Sequence, residues 1–472
     1  MPLSCFPDNP LVPNPAVLDI FGRLTLWEKL LLGAVSRAWR HTLRDSGLWA
    51  TVDLSTAGLR FYPGVDGPVV LDPRRLSEGF LLAVGRASRG HLKCLDVSGH
   101  VNWPLHEHPP LVAVDDQPEG SALLHVVSRS PRLATLRLLC PDREVADAPL
   151  VAPGVHARHV FALLAAAPSL TCLDADVCVS PSDASFFLTS RKMRVRRLIS
   201  EDHWVASDLG RLARDMVGHT SLRELALLDA PLSLGVELDA LVTSLRSKGV
   251  EALTLFAGRV DSRLGGALLT RLLVSPKPPP ELPLVSLTIY NGNRPLLFAC
   301  AGELPRLCKA LGVGCTLTSL TFASVALFDD PLVADALLDV LTGHAHMAYL
   351  SFFGNEVVGE DRRVAAGRAL ARLLVVDSPA LLKLMVGNCS LRSAGLVPLL
   401  EALRANTHLL TLGCDGNDMD EPCATNVLLP AVIANASLRC LVSQRGMGNG
   451  PLHAAGVHAE ALVAARSVAV TS

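Results

Sequence analysis

An aliphatic residue followed three positions later by leucine recurs twelve times in this chain, and that interval restricts its fold more than any other feature. The second members of these pairs are Leu95, Leu136, Leu173, Leu198, Leu225, Leu253, Leu287, Leu320, Leu350, Leu384, Leu412 and Leu441, spaced 25 to 41 residues apart. A unit of that length holds one strand and one return segment, too little to bury its own apolar face. Stacked on its neighbours it shares a continuous core. The spacing therefore predicts one α/β solenoid over roughly residues 90 to 445.

Composition agrees with stacked aliphatic layers. Of 472 residues, 50% are hydrophobic but only 4% aromatic, which suits a Leu, Val and Ala core rather than a ring-lined cavity. The formal net charge of −2 gives no bulk attraction to nucleic acid or an anionic membrane, so neither is expected as a partner. The start, MPLSCFPDNP, lacks a basic region followed by an apolar run, so the expected location is cytoplasmic or nuclear, with the 12 cysteines reduced. No CxxC occurs, and Cys172/Cys178 and Cys308/Cys315 lack zinc-site spacing; the thiols read as small buried hydrophobes. His100, His106 and His108 lie in a Pro-rich stretch that preorganises ligands poorly, so no metal and no cofactor is expected. Ala310 to Phe328 carries no charge for nineteen residues, yet its Gly, Thr and Ser content and the in-phase Leu317 and Leu320 predict a buried strand.

The repeat is clearest near the C-terminus. Leu381, Leu384, Val386 and Cys389 fit L-x-x-L-x-L-x-x-[N/C], followed by Leu391, Gly395, Leu399 and Leu403 at helical spacing. Asn355, Cys389 and Asn417 hold the final polar place, and Cys178 is expected to hold it earlier; that side chain satisfies backbone groups in the turn. Asp330-Pro331 reads as an N-cap and first helical position ahead of Leu337, Leu338 and Leu341. This region resembles the ribonuclease-inhibitor class of leucine-rich repeats, which implies a helix behind each strand.

The N-terminal block has a different character. Asn14-Pro15 caps a helical run carrying Val17, Ile20, Phe21 and Leu24; Leu30, Leu31 and Val35 continue to Ser36-Arg37 and Trp39, and Leu48-Trp49 closes the block. Three of the five tryptophans fall within these residues, a density suited to a compact interface. The segment VPNPAVLDIFGRLTLWEKLLLGAVSRAWRHTLRDSGLW resembles the F-box, in register without a gap from Val12 to Trp49. It departs from the pattern at Val12, where Leu is usual, and at Trp27-Glu28. The order F-box then repeats resembles the F-box/leucine-rich-repeat family, whose junction Leu48 to Ser55 matches.

The expected architecture is thus a small helical F-box over residues 8–52 and a leucine-rich-repeat horseshoe over 53–472. The resemblance implies a substrate-recognition subunit of an SCF-type cullin–RING ubiquitin ligase. Pro13, Leu18, Ile20, Phe21, Leu24, Leu30, Val35 and Trp39 would bind the adaptor subunit, and Trp49 would brace the F-box against the repeats. Catalysis then lies in other subunits, in keeping with the lack of GxxxxGK[ST], GxSxG or HExxH. Gly446 to Gly450 looks like a dinucleotide loop, but Pro451 stands where the third glycine belongs, so a turn before a capping helix is expected. The alternative is a scaffold that grips a protein partner without any ubiquitin connection.

For the protein substrate, strand alternation singles out residues between the buried anchors. These read Asp174, Asp176, Arg196, Arg197, Arg223 and Glu224, then Phe256, Tyr290, Tyr349, Phe353 and Met385, which predicts a change from charge to exposed aromatic surface. Arg191, Lys192, Arg194, Arg196 and Arg197 form a basic cluster read as a solvated turn, or as a receiver for an acidic or phosphorylated partner.

Overall fold

A computed structural model describes residues 46–54, 78–88, 90–98, 122–139, 154–200, 204–228, 236–256, 284–290, 303–312, 316–342, 344–443 and 454–471, with short pieces at 63–64, 67–68 and 272. Two compact units divide the chain, Met1–Glu201 and Asp202–Ser472. The F-box-like block up to residue 45, the His100–His108 stretch, the proline-rich 276–283 and Gly446–Gly450 lie outside the described residues.

In the first unit the strands Thr51–Asp53, Cys94–Asp96, Thr135–Leu138, Cys172–Val179 and Met193–Ser200 run parallel. Val52, Leu95, Leu136 and Leu173 stand in register. The sequence spacing fails at the next step: Leu173 faces Met193, and Leu198 faces Val177. Met193, five residues before Leu198, takes the place opposite Leu173, and a β-bulge between Ala175 and Asp176 then makes Arg196 an extra residue and shifts the later pairing by one. Cys178 likewise lies inside its strand beside His156, so it does not hold the turn place expected of it.

In the second unit the register is unbroken. Leu225, Leu253, Leu287, Leu320, Leu350, Leu384, Leu412 and Leu441 face one another across eight parallel strands. Every anchor is buried, and only Leu441 on the last strand exceeds 2% exposure, at 8%. Helices return behind the strands: Val236–Lys248, Glu303–Gly312, Pro331–Thr342, Glu360–Val375 and Arg392–Leu403. As expected, Asp330 caps one of them, its Oδ1 accepting from Leu332 N at 3.0 Å and Val333 N at 3.4 Å, with Leu337, Leu338 and Leu341 buried. Ser319–Ala323 is the buried strand predicted in the uncharged run, and no helix among the described residues is long and apolar enough to cross a membrane. This is a leucine-rich-repeat α/β solenoid.

One backbone device recurs where the strands of the second unit begin. The carbonyl two residues before an anchor accepts two N–H groups of the next repeat: Val285 O takes Thr318 N and Ser319 N, Ala348 O takes Leu382 N and Lys383 N, and Leu382 O takes Leu410 N and Thr411 N. Both lone pairs are used, so the entry edge of the sheet is as tightly satisfied as its centre. The far end closes on the helix Ala454–Thr471, whose Glu460 carboxylate accepts from Ser443 N at 2.7 Å and Ser443 Oγ at 2.9 Å. That covers the edge strand, which otherwise offers unpaired backbone groups.

The helices Glu360–Val375 and Arg392–Leu403 touch backbone to backbone at Gly367 and Gly395. A Cβ on Gly367 would collide with the Gly395 carbonyl, and one on Gly395 would lie 2.8 Å from Arg363 O. Ala in place of Gly in a helix interior gains up to about 1 kcal/mol of propensity. Overpacking costs about 1–3 kcal/mol, and here the obstacle is backbone that no rotamer can move. Gly367→Ala is therefore expected to lower the denaturant midpoint; an unchanged or raised midpoint would show that the helices separate freely.

Candidate functional site

The sheet face opposite the helices is formed by the residues flanking each anchor. In the first unit one row crosses it in register: Asp53, Asp96, Arg137, Asp174 and Arg194. Arg137 lies 3.7 Å from Asp96 and 3.3 Å from Asp174, so one guanidinium bridges two carboxylates and the middle of the row stays acidic. Asp176 departs from the sequence reading. It is 0% exposed, with Arg196 Nη2 at 2.7 Å and Arg197 Nη1 at 3.6 Å, and is not part of a charged surface. The bulge aims two consecutive arginines at one carboxylate, and a buried charge must be paired in this way to be tolerated. Of the remaining charges, Arg223 pairs with Glu251 at 3.4 Å and Glu224 is half-buried.

The second unit carries the aromatic candidates. Phe256 and Tyr290 end neighbouring strands, half-buried, with ring centroids 5.4 Å apart and planes inclined at 41°. The next strand ends in Ala323, which is fully buried. Tyr349 opens the strand after that, Tyr349–Ser351, between Ser319 and Lys383, and Phe353 lies two residues beyond its end in the following turn. The predicted continuous aromatic run is thus broken at Ala323. Met385 is a second correction: it is 8% exposed, because Gly413 on the adjacent strand leaves the space into which its thioether folds. Phe353 leans over Gly387 by the same logic, its Cδ2 standing 3.2 Å from where a side chain would begin.

Between the flanking residues runs a row of short hydroxyls, Thr254, Thr288, Thr321 and Ser351, all buried and in register. The face therefore offers a narrow polar floor with Phe256 and Tyr290 as a paired platform at one end. Such a surface suits an extended segment or a protruding side chain of a protein partner. Phe256→Ser, Tyr290→Ser and Phe353→Ser together are expected to abolish measurable binding of such a partner while leaving the melting temperature within a few degrees. Undiminished binding by the folded triple variant would remove this face from consideration. The adaptor candidates Pro13, Leu18, Ile20, Phe21, Leu24, Leu30, Val35 and Trp39 fall outside the described residues. Trp49 is described: it closes the turn Ser46–Trp49 and is 3% exposed, just before the first strand.

Thiol chemistry has little foothold at the three buried cysteines of the second unit, Cys389, Cys414 and Cys423. Burial pushes Cys389 up to about 12, against the N–H groups of Asn355 and Gly354 that favour its thiolate. Burial also drives Cys414 upward and Cys423 to about 11, so these thiols stay protonated at neutral pH and are poor nucleophiles.

The most developed polar architecture was only partly anticipated. Asn417 Oδ1 accepts from Cys389 N at 3.0 Å and Leu391 N at 3.1 Å, while its Nδ2 donates to Val386 O and Cys414 O at 2.8 and 2.9 Å. Asn355 makes the same set toward Val325, Leu327, Phe322 and Phe352. Cys389 stands between them, its thiol donating to Phe352 O at 3.0 Å. A second ladder was missed: Asn406 Nδ2 donates to Leu374 O, Asn435 Nδ2 to Leu403 O and Asn406 O, and Arg466 continues it to Val432 O and Asn435 O.

No protein-family model and no curated protein matches the chain. Among solved structures, the complex of Rad7 and Elc1 in yeast aligns at a TM-score of 0.37 and 14% identity, covering 94% of this chain and 98% of that one. The leucine-rich repeat-containing protein LegL7 from Legionella pneumophila aligns at 0.29 and 14%, covering 89% and 98%.

Proposed function

We propose that this chain is the substrate-recognition subunit of an SCF-type cullin–RING ubiquitin ligase, docking the adaptor through residues 8–52 and a protein substrate through its repeats. The observation that carries the proposal is the ungapped F-box pattern from Val12 to Trp49 running directly into repeat structure. Its last residues support it: Leu48 and Trp49 are buried in a turn, and two residues later Thr51–Asp53 pairs with Cys94–Asp96 as the first strand. A substrate-recognition subunit needs no active site of its own, and transfer of ubiquitin would belong to the associated conjugating enzyme. The working compartment would be the cytoplasm or nucleus, where thiols stay reduced.

The experiment is co-purification from cells. Full-length chain is expected to bring down an SCF adaptor and cullin, and chain lacking residues 8–52 is expected to bring down neither. Equal recovery of both by the shortened chain would contradict the proposal. Recovery of neither by the full chain would favour a repeat scaffold with no ubiquitin connection.

A further inference from the structure

We infer that the strand-entry edge of the first unit is a docking surface for an acidic segment of a protein partner. Lys93, Arg129, Arg132, Arg191, Lys192 and Arg194 are all exposed. None makes an ion pair or a side-chain hydrogen bond with any described residue. The backbone puts them on one edge. Lys93 O accepts from Ala134 N and Thr135 N, Ala134 O accepts from Thr171 N and Cys172 N, and Lys192 O accepts from Leu173 N. Arg132 and Arg129 occupy the turn leading to Ala134, and Arg191 and Arg194 flank Lys192.

The acids are elsewhere. The described residues of the four entry turns, 90–93, 129–134, 167–171 and 190–192, include no Asp or Glu. Asp53, Asp96 and Asp174 occupy the residue after the anchor, the row in which Arg194 also stands, Asp176 lies two residues further along its strand, and Asp183 opens the helix Pro181–Thr189 at the opposite end of the repeat. The unit is therefore polarised along its strand direction. Helix C-termini attract cations, which accounts for Arg129 and Arg191. Lys93 and Arg132 lie nearer the strands, beyond the last helical turn, and need another reason, whereas Arg194 stands inside its strand in register with Asp174.

Dimensions favour an extended peptide. The cations span the strands from Cys94–Asp96 to Met193–Ser200, three steps of about 4.8 Å, or about four residues of extended chain. A nucleic-acid strand is the weaker fit. The described entry turns hold no Phe, Tyr or Trp on which bases could stack, and the whole chain is not basic. Arg137 in the neighbouring row is engaged by Asp96 and Asp174, so it does not compete for the ligand.

The probe is a labelled decapeptide of alternating Glu and Ser, titrated into full-length protein at about 0.05 M and about 0.15 M salt. Binding is expected, weaker at the higher salt, and at least roughly tenfold weaker after Arg132→Glu, Lys192→Glu and Arg194→Glu, because like charges then face each other. The matching Gln triple variant should fall between, which separates charge from misfolding. Three results would overturn the inference: no binding at low salt, equal binding by the folded Glu variant, or tighter binding of an oligothymidylate of equal charge. None depends on the N-terminal block, so failure here leaves the adaptor reading untouched.

Discussion

Replacing Asn417 by Ala is expected to cost about 3–5 kcal/mol, because two backbone N–H groups and at least two carbonyls lose partners in a buried place and each unsatisfied group costs about 1–3 kcal/mol before water relieves part of it. Asn417 is 2% exposed. Its acceptor oxygen also holds an unusual turn. Asn388 and Ser390 have φ near +53°, alternating with Cys389 and Leu391, so two N–H groups converge on one point. Ser324 and Ala326, at φ +50° and +51°, repeat the arrangement around Asn355 Oδ1. Left-handed backbone at residues other than glycine is costly, and it persists because the asparagine of the following repeat fixes it. Asn417→Asp keeps the acceptor but loses the donor, so its loss should be substantial as well. Denaturant midpoints of the two variants check the account; a loss below about 1 kcal/mol for Asn417→Ala would show that the turn does not depend on the side chain.

The parts of this architecture legible in the sequence were those fixed by period. Leucines at a regular interval need only stack, so all eight anchors of the second unit fell into register, and Asn355 and Asn417 took the turn places their spacing assigned. What failed depended on residues far apart in the chain. Leu173 paired with Met193 rather than Leu198, and the bulge at Ala175/Asp176 set two arginines on a buried Asp176, although a run of Arg-Arg opposite an Asp looks in sequence like a solvated surface. Met385 was misplaced because its exposure is decided by a glycine at position 413. The second asparagine ladder hid behind mixed residue types. Three positions before the first leucine-type residue of a pair stand Ser130, His219, His344, Asn406 and Asn435, all buried, and several of them accept N–H groups of the following turn. A polar residue recurring at that offset was visible as a position, but no single residue type announced it.

Docking to the adaptor is the central claim, and titration of purified full-length chain into an SCF adaptor tests it most directly. Pro13 and Phe21 are the two resemblance-based contacts whose removal leaves most of the block's aliphatic residues in place. Losing the burial of a large apolar side chain costs roughly 1.5–3 kcal/mol, so the Pro13→Ala/Phe21→Ala chain is expected to bind at least about a hundredfold more weakly than the unaltered one. The two chains should melt together, because the repeats carry most of the buried surface. Wild-type affinity in the folded double variant, or no complex with the unaltered chain, would contradict the account.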